Sequence, residues 1–171
     1  LRAYVWNKLF RREVLDGIRF STELSFAEDY EMFCRVLEQC GRIVCGTKTK
    51  YYYMQRKSGV CNCGYDRTYQ KAMMMFEDYC RMYSRRYPQY KKLFENHYLF
   101  DLMGMAAAMS RNGNYVAADC RKIKKYVRQK LPQYLMDKKV SLHLKGSACM
   151  ISVSVRAFGA VYRLLHGVES E

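Results

Sequence analysis

From residue 66 onward, apolar side chains recur every three or four positions, the spacing of one face of an α-helix. Tyr69, Met73, Phe76, Cys80 and Tyr83 predict a helix over residues 66 to 86, with Asp66 as its cap and Pro88 as its stop. Phe94, Tyr98, Leu102, Met105 and Met109 predict a second over 90 to 111, closed by Asn112-Gly113-Asn114. A third is expected from 115 to 130, before Pro132. The last, over 147 to 166, has two sides. Ser152, Arg156, Gly159, Arg163 and His166 form one polar stripe; Met150, Val153, Ala157, Val161 and Leu164 lie on another side. The apolar side is expected to pack on the preceding helices, with a helix lying at a membrane interface as the alternative. Its two arginines argue against a membrane span.

The first sixty residues follow a shorter rhythm. Ser25-Phe26-Ala27-Glu28 has the form of a capping box, and Phe33, Val36, Leu37 and Cys40 then recur at helical spacing up to Gly41. Residues 42 to 45 and 50 to 54 are rich in β-branched and aromatic types and predict two short strands. The expected architecture is mainly α with a small α/β portion. Residues 1 to 62 form the α/β piece, and residues 63 to 171 form a helical bundle ending in a basic amphipathic helix.

Composition supports a folded, helix-rich chain. Half of the 171 residues are hydrophobic and 27% are charged, enough apolar material for a core, while two prolines and eleven methionines favour long helices. The net charge is +14, and residues 111 to 171 hold 12 basic against 4 acidic side chains. Such a surface suits phosphates of nucleic acid or of an anionic membrane, although a solvated helical face is the simpler account of any single lysine. The eight cysteines include no C-x-x-C pair and lie mostly among apolar residues, as small hydrophobes in a reducing compartment would. His97 and His143 have no convincing metal-ligand spacing around them.

Three segments carry candidate chemistry. Trp6-Asn7-Lys8-Leu9-Phe10 offers an indole that can stack on a sugar ring, an amide that can read hydroxyls, and a cation. Glu28-Asp29 places two carboxylates at a predicted helix start. The helix dipole favours acids there without any catalysis, by about 0.3–1 kcal/mol. Tyr51-Tyr52-Tyr53-Met54-Gln55-Arg56-Lys57-Ser58 brings a guanidinium suited to a diphosphate, or simply a half-buried strand.

In this order, the segments resemble the C-terminal part of the catalytic domain of family-2, inverting, GT-A-type glycosyltransferases of the bacterial capsule, exopolysaccharide and lipopolysaccharide branch. The W-N-K-L-[FY] run, the E-D pair about twenty residues later and the tyrosine-rich stretch with its arginine and serine are the shared motifs. Met54 departs from the last of these, standing where the family has arginine. The resemblance covers about residues 3 to 60. It implies Asp29 as general base, Glu28 as a supporting or acceptor-contacting residue, and Trp6, Asn7, Lys8, Arg56 and Ser58 as acceptor- or donor-binding residues.

The resemblance further implies a nucleotide-diphosphate sugar as donor and a glycan or lipid-linked acceptor. A Mn²⁺ or Mg²⁺ ion is implied too, held by an Asp-x-Asp motif that does not occur in this sequence. The expectation is therefore a C-terminal piece of a longer enzyme, inactive without its N-terminal half, and cytoplasmic or peripheral at the inner face of the cell membrane. The competing expectation is a basic helical module that binds nucleic acid or protein, its sixteen tyrosines available for base stacking. No recognised nucleic-acid motif accompanies it.

Overall fold

A computed structural model of the chain describes residues 4 to 48, 51 to 54 and 64 to 166. The chain divides into two compact units, Leu1–Gly59 and Val60–Glu171.

Unit 1 contains a short 3₁₀ turn, Arg12–Leu15, and helix α1, Glu28–Gln39. Ile18, Phe33, Cys34 and Val36 form its buried apolar centre. Helix α1 does not start through a capping box. Its N-cap is Ala27, held in the left-handed region at φ 63°, with no side-chain cap, and the Glu31 amide bonds the Ala27 carbonyl at 3.1 Å. The helix stops at Cys40 in an extended conformation, one residue before the expected glycine. Among the described residues there is no strand, so the two strands expected at 42 to 45 and 50 to 54 are corrected over 42 to 45 and 51 to 54. Branched and aromatic residues favour strands when a pleated surface receives them. Here Val44 and Tyr52 are 83% and 91% exposed and have no such surface.

Unit 2 is a bundle of five described helices: α2 Arg67–Arg86, α3 Lys91–Asn112, α4 Ala117–Met136, α5 Leu142–Val153 and α6 Val155–His166. Asp66 caps α2 by accepting from the Thr68 and Tyr69 amides at 2.9 and 3.3 Å. Pro88 opens a 3₁₀ turn, Pro88–Tyr90, that reverses the chain into α3. Helix α3 is apolar on nearly every side, which suits a helix enclosed by neighbours, and it packs against α2, α4, α5 and α6. Leu99, Leu102, Met105, Ala106, Ala108 and Met109 are its apolar residues with least exposure, and Ser110 is buried beside them. Gly113 ends it in the left-handed conformation at φ 68°.

A polar clasp joins the start of α2 to the end of α3 and the start of α4. The Tyr65 carbonyl accepts from Asn112 Nδ2 and Asn114 Nδ2 at 3.1 and 2.9 Å, and its hydroxyl donates to Asp119 Oδ2 at 3.1 Å. Gln70 donates to the same carboxylate oxygen at 2.8 Å. The ring of Tyr65 is fully buried, and burial beside Asp119 pushes its phenol far above the ordinary range.

Two helix boundaries differ from expectation. Helix α4 runs through Pro132 to Met136. Proline removes one amide donor, and the packing of α4 on α3 and α5 outweighs that loss. The single helix expected over 147 to 166 is two helices, broken at Ser154, whose backbone is extended. Ser154 closes α5 by donating its amide to the Met150 carbonyl at 2.8 Å, and opens α6 by accepting from the Ala157 amide at 3.2 Å.

The facing of these helices also differs in part: Arg156 and His166 are exposed as expected, but the rest of the polar stripe turns inward. Gly159 is buried against Tyr115 and Ser110, and Arg163 donates to the Ser110 carbonyl at 3.0 Å and to the Tyr115 hydroxyl at 3.3 Å. Ser152 is buried, and its carbonyl accepts from Arg128 Nε at 2.7 Å. Val153 and Leu164, read from the pattern as packing residues, are 67% and 83% exposed. Backbone carbonyls that a cation and a small residue can approach decided the inward face, in place of apolar side chains alone.

Candidate functional site

The acidic pair opens α1, where amide groups without helical partners point at the chain entering it. Asp29 is half-buried. Its Oδ1 accepts from the Tyr30 amide at 2.7 Å. Burial raises its carboxyl above the ordinary range and the charge of Glu28 adds to the rise; the Tyr30 amide and the Lys8 charge oppose it. The acid is therefore a stronger base than a free aspartate once it has lost its proton.

Lys8 stands close enough to Asp29 for each charge to act on the other, although twenty-one positions separate them. Its ammonium donates to the Tyr4 carbonyl and sits 4.8 Å from the centre of the Phe33 ring. Burial lowers its pKa, while the charges of Asp29 and Cys45 act upward. The first motif and the acidic pair are thus brought together around Lys8 and Asp29, with Phe33 of α1 beneath the cation.

Trp6 is the centre of an aromatic stack. Tyr4, Tyr51 and Tyr53 lie 4.7, 4.9 and 4.9 Å from it, with ring planes inclined by 8°, 21° and 17°. Three nearly parallel rings at that distance cannot share one face of an indole, so both faces of Trp6 are engaged. The outward ring surface belongs to the tyrosines, which are 40–50% exposed. Asn7, between Trp6 and Lys8, is exposed in the left-handed conformation at φ 64°. That conformation turns the chain so that its two neighbours serve different contacts. Arg56 and Ser58 lie outside the described residues.

The approach of Lys8 to Asp29, with Phe33 and Cys45 as neighbours of the lysine, has no local sign in the sequence. No local pattern encodes a contact between residues this far apart. The tyrosine pair was visible as alternation, but as a strand and not as a ring stack. Among the described residues no group of three His, Cys, Asp or Glu side chains is placed to hold a metal ion. The described residues thus offer no ligand set for the divalent cation of the glycosyltransferase resemblance.

A scan of protein-family models, a search of curated proteins and a search of solved structures each returned no match.

Proposed function

We propose that unit 1 is the acceptor-side end of an inverting, GT-A-type family-2 glycosyltransferase domain. Its reaction is transfer of a sugar from a nucleotide diphosphate to an acceptor hydroxyl in cell-surface polysaccharide synthesis. The observation that carries this reading is Asp29: a half-buried carboxylate of raised basicity at a helix start, within electrostatic reach of Lys8 from the W-N-K run. A hydroxyl is a poor nucleophile while it keeps its proton. A carboxylate held against it accepts that proton as the anomeric bond breaks, help worth roughly 10²–10⁴ in rate.

Other features take supporting parts. Lys8 opposes the rise that burial gives the Asp29 carboxyl, and so favours its ionised form. The exposed tyrosine faces around Trp6 offer flat apolar surface to the carbon-bound hydrogens of a sugar. Glu28 is the acceptor-contacting or supporting acid, and Arg56 with Ser58 is assigned to the diphosphate by the motif alone. The donor's nucleotide and its cation are assigned to the half of the enzyme that precedes this sequence in the family. We place that enzyme in the cytoplasm, peripheral at the inner face of the membrane. Among the described residues no helix is long and apolar enough to cross one.

The test has two parts. Asp29→Asn in the full-length enzyme is expected to lower kcat by roughly 10²–10⁴ with folding intact. In the present chain, NMR titration is expected to place the Asp29 carboxyl above an ordinary aspartate, and Lys8→Met to raise it further. Unchanged turnover in Asp29→Asn removes Asp29 as base.

A further inference from the structure

We infer that the corner between α4 and α5, with the outward stripe of α5, is a docking surface for an anionic lipid bilayer. The inference rests on unit 2 alone and does not depend on the role of Asp29.

The corner is built around Asp137, whose acid is spent on structure. It accepts from Asn96 Nδ2 at 2.8 Å and from the Lys139 amide at 2.9 Å, and the Lys92 ammonium lies 3.8 Å away. The turn is closed by the Val140 amide on the Asp137 carbonyl at 3.2 Å. Facing solvent around the turn are two apolar and two cationic side chains, with Ser141 and His143 beside them. Met136 and Leu142, on either side of the turn, are 80% and 84% exposed, and Lys138 and Lys139 between them are exposed without a carboxylate partner among the described residues.

Helix α5 extends this surface. Leu142, Gly146, Cys149 and Val153 are spaced by four, three and four residues, so they fall on one helical stripe, and all four are exposed. None of them is charged. The helices that follow the clasp are strongly basic: residues 117 to 166 hold eleven lysines and arginines against two aspartates.

Three possible occupants can be compared by charge and shape. A second copy of this chain would bring Lys138 and Lys139 against another molecule of net charge +14. A nucleic acid would meet the lysines but offers nothing to Met136 and Leu142, which are aliphatic and not stacking side chains. An anionic bilayer satisfies both: its headgroups attract the lysines, and its acyl boundary accepts the aliphatic tips. The stripe is one helix face of twelve residues, so the contact is interfacial and not spanning.

The test is sedimentation of the 171-residue chain with phosphatidylcholine vesicles, either neutral or containing about a third phosphatidylserine. Binding is expected to the anionic vesicles and not to the neutral ones. Each juxtamembrane lysine contributes about fivefold, so Lys138→Gln with Lys139→Gln should weaken binding about 30-fold. Met136→Gln with Leu142→Gln should weaken it at least about tenfold, at unchanged far-UV circular dichroism, because both side chains are already exposed. Equal binding to neutral vesicles overturns the inference, as does a lysine double variant that binds like the parent. Binding that survives the loss of Met136 and Leu142 also overturns it, and leaves only adsorption of a polycation.

Discussion

Replacing Lys130 by methionine should destabilise unit 2 through a carboxylate left behind on α3. Glu95 is 8% exposed on α3, and its two oxygens accept from Lys130 Nζ at 2.7 Å and Gln133 Nε2 at 3.0 Å on α4. Burial acts to raise the Glu95 carboxyl, yet the bonds from Lys130 and Gln133, together with the charges of Lys130 and Lys91, outweigh it and hold the pKa below the ordinary value. Removing one partner of a fully buried pair costs about 3–5 kcal/mol. The Lys130 side chain is 26% exposed, so water can reach part of the vacated space, and about 2–3 kcal/mol is expected for Lys130→Met. Glu95→Gln keeps a hydrogen-bonding amide and should cost about 1–2 kcal/mol. The double variant leaves no unpaired charge, so the two changes should fall short of additivity by about 1–2 kcal/mol.

Urea unfolding followed by circular dichroism reads these differences. With a slope of about 2 kcal/mol per molar, Lys130→Met should lower the midpoint by roughly 1–1.5 M at pH 7. The pH dependence has a definite sign. A carboxyl whose folded pKa is depressed stabilises the fold above its unfolded value, here 4.5, and the contribution is lost as pH falls through the folded value. The coupling should therefore shrink toward pH 3. Additive costs at pH 7, or a coupling that persists undiminished at pH 3, would refute the reasoning.

Two further variants probe other parts of the bundle. Burial pushes the Asp101 carboxyl up to about 8, so the folded chain keeps a proton that the unfolded chain releases above about 3.8. Stability should fall as pH rises between those values, and Asp101→Asn should abolish that slope and gain about 1–3 kcal/mol at pH 8 in thermal melts. Gly159→Ala would place a Cβ 2.0 Å from the Tyr115 hydroxyl and 3.0 Å from Ser110 Cβ. Despite the helix propensity gained, about 1 kcal/mol, a net loss of about 1–2 kcal/mol is expected. Adding Tyr115→Phe should recover part of it; no recovery would mean that the hydroxyl is not the obstacle.

Legibility from the sequence followed how local each cause is. Helices α2 and α3 could be read almost to their ends because Asp66, Pro88 and Gly113 act within one turn of where they stand. Ser154 could not, since a serine reads alike as a mid-helix residue and as a cap, and only the extended backbone there distinguishes them. Ser25 was a plausible cap displaced by Ala27 in the left-handed region, a conformation that alanine seldom adopts and no pattern announces. The inward face of α6 was misread because Arg163 bonds to Ser110 and Tyr115, residues about fifty positions away. In the candidate site the residue types were legible, whereas the meeting of Lys8 with Asp29 and the rings packed on Trp6 depend on tertiary structure.

The stack around Trp6 has an optical consequence. It is the chain's one tryptophan, and it lies in unit 1, whereas five of the six described helices lie in unit 2. Indole fluorescence thus monitors the first unit, and far-UV ellipticity chiefly the second. Coincident denaturation curves from the two signals would mean that the units unfold as one cooperative body; separated curves would give each its own stability. Neighbouring tyrosines at under 5 Å should also transfer excitation to the indole, so excitation at the tyrosine band becomes a ruler for whether the stack is intact.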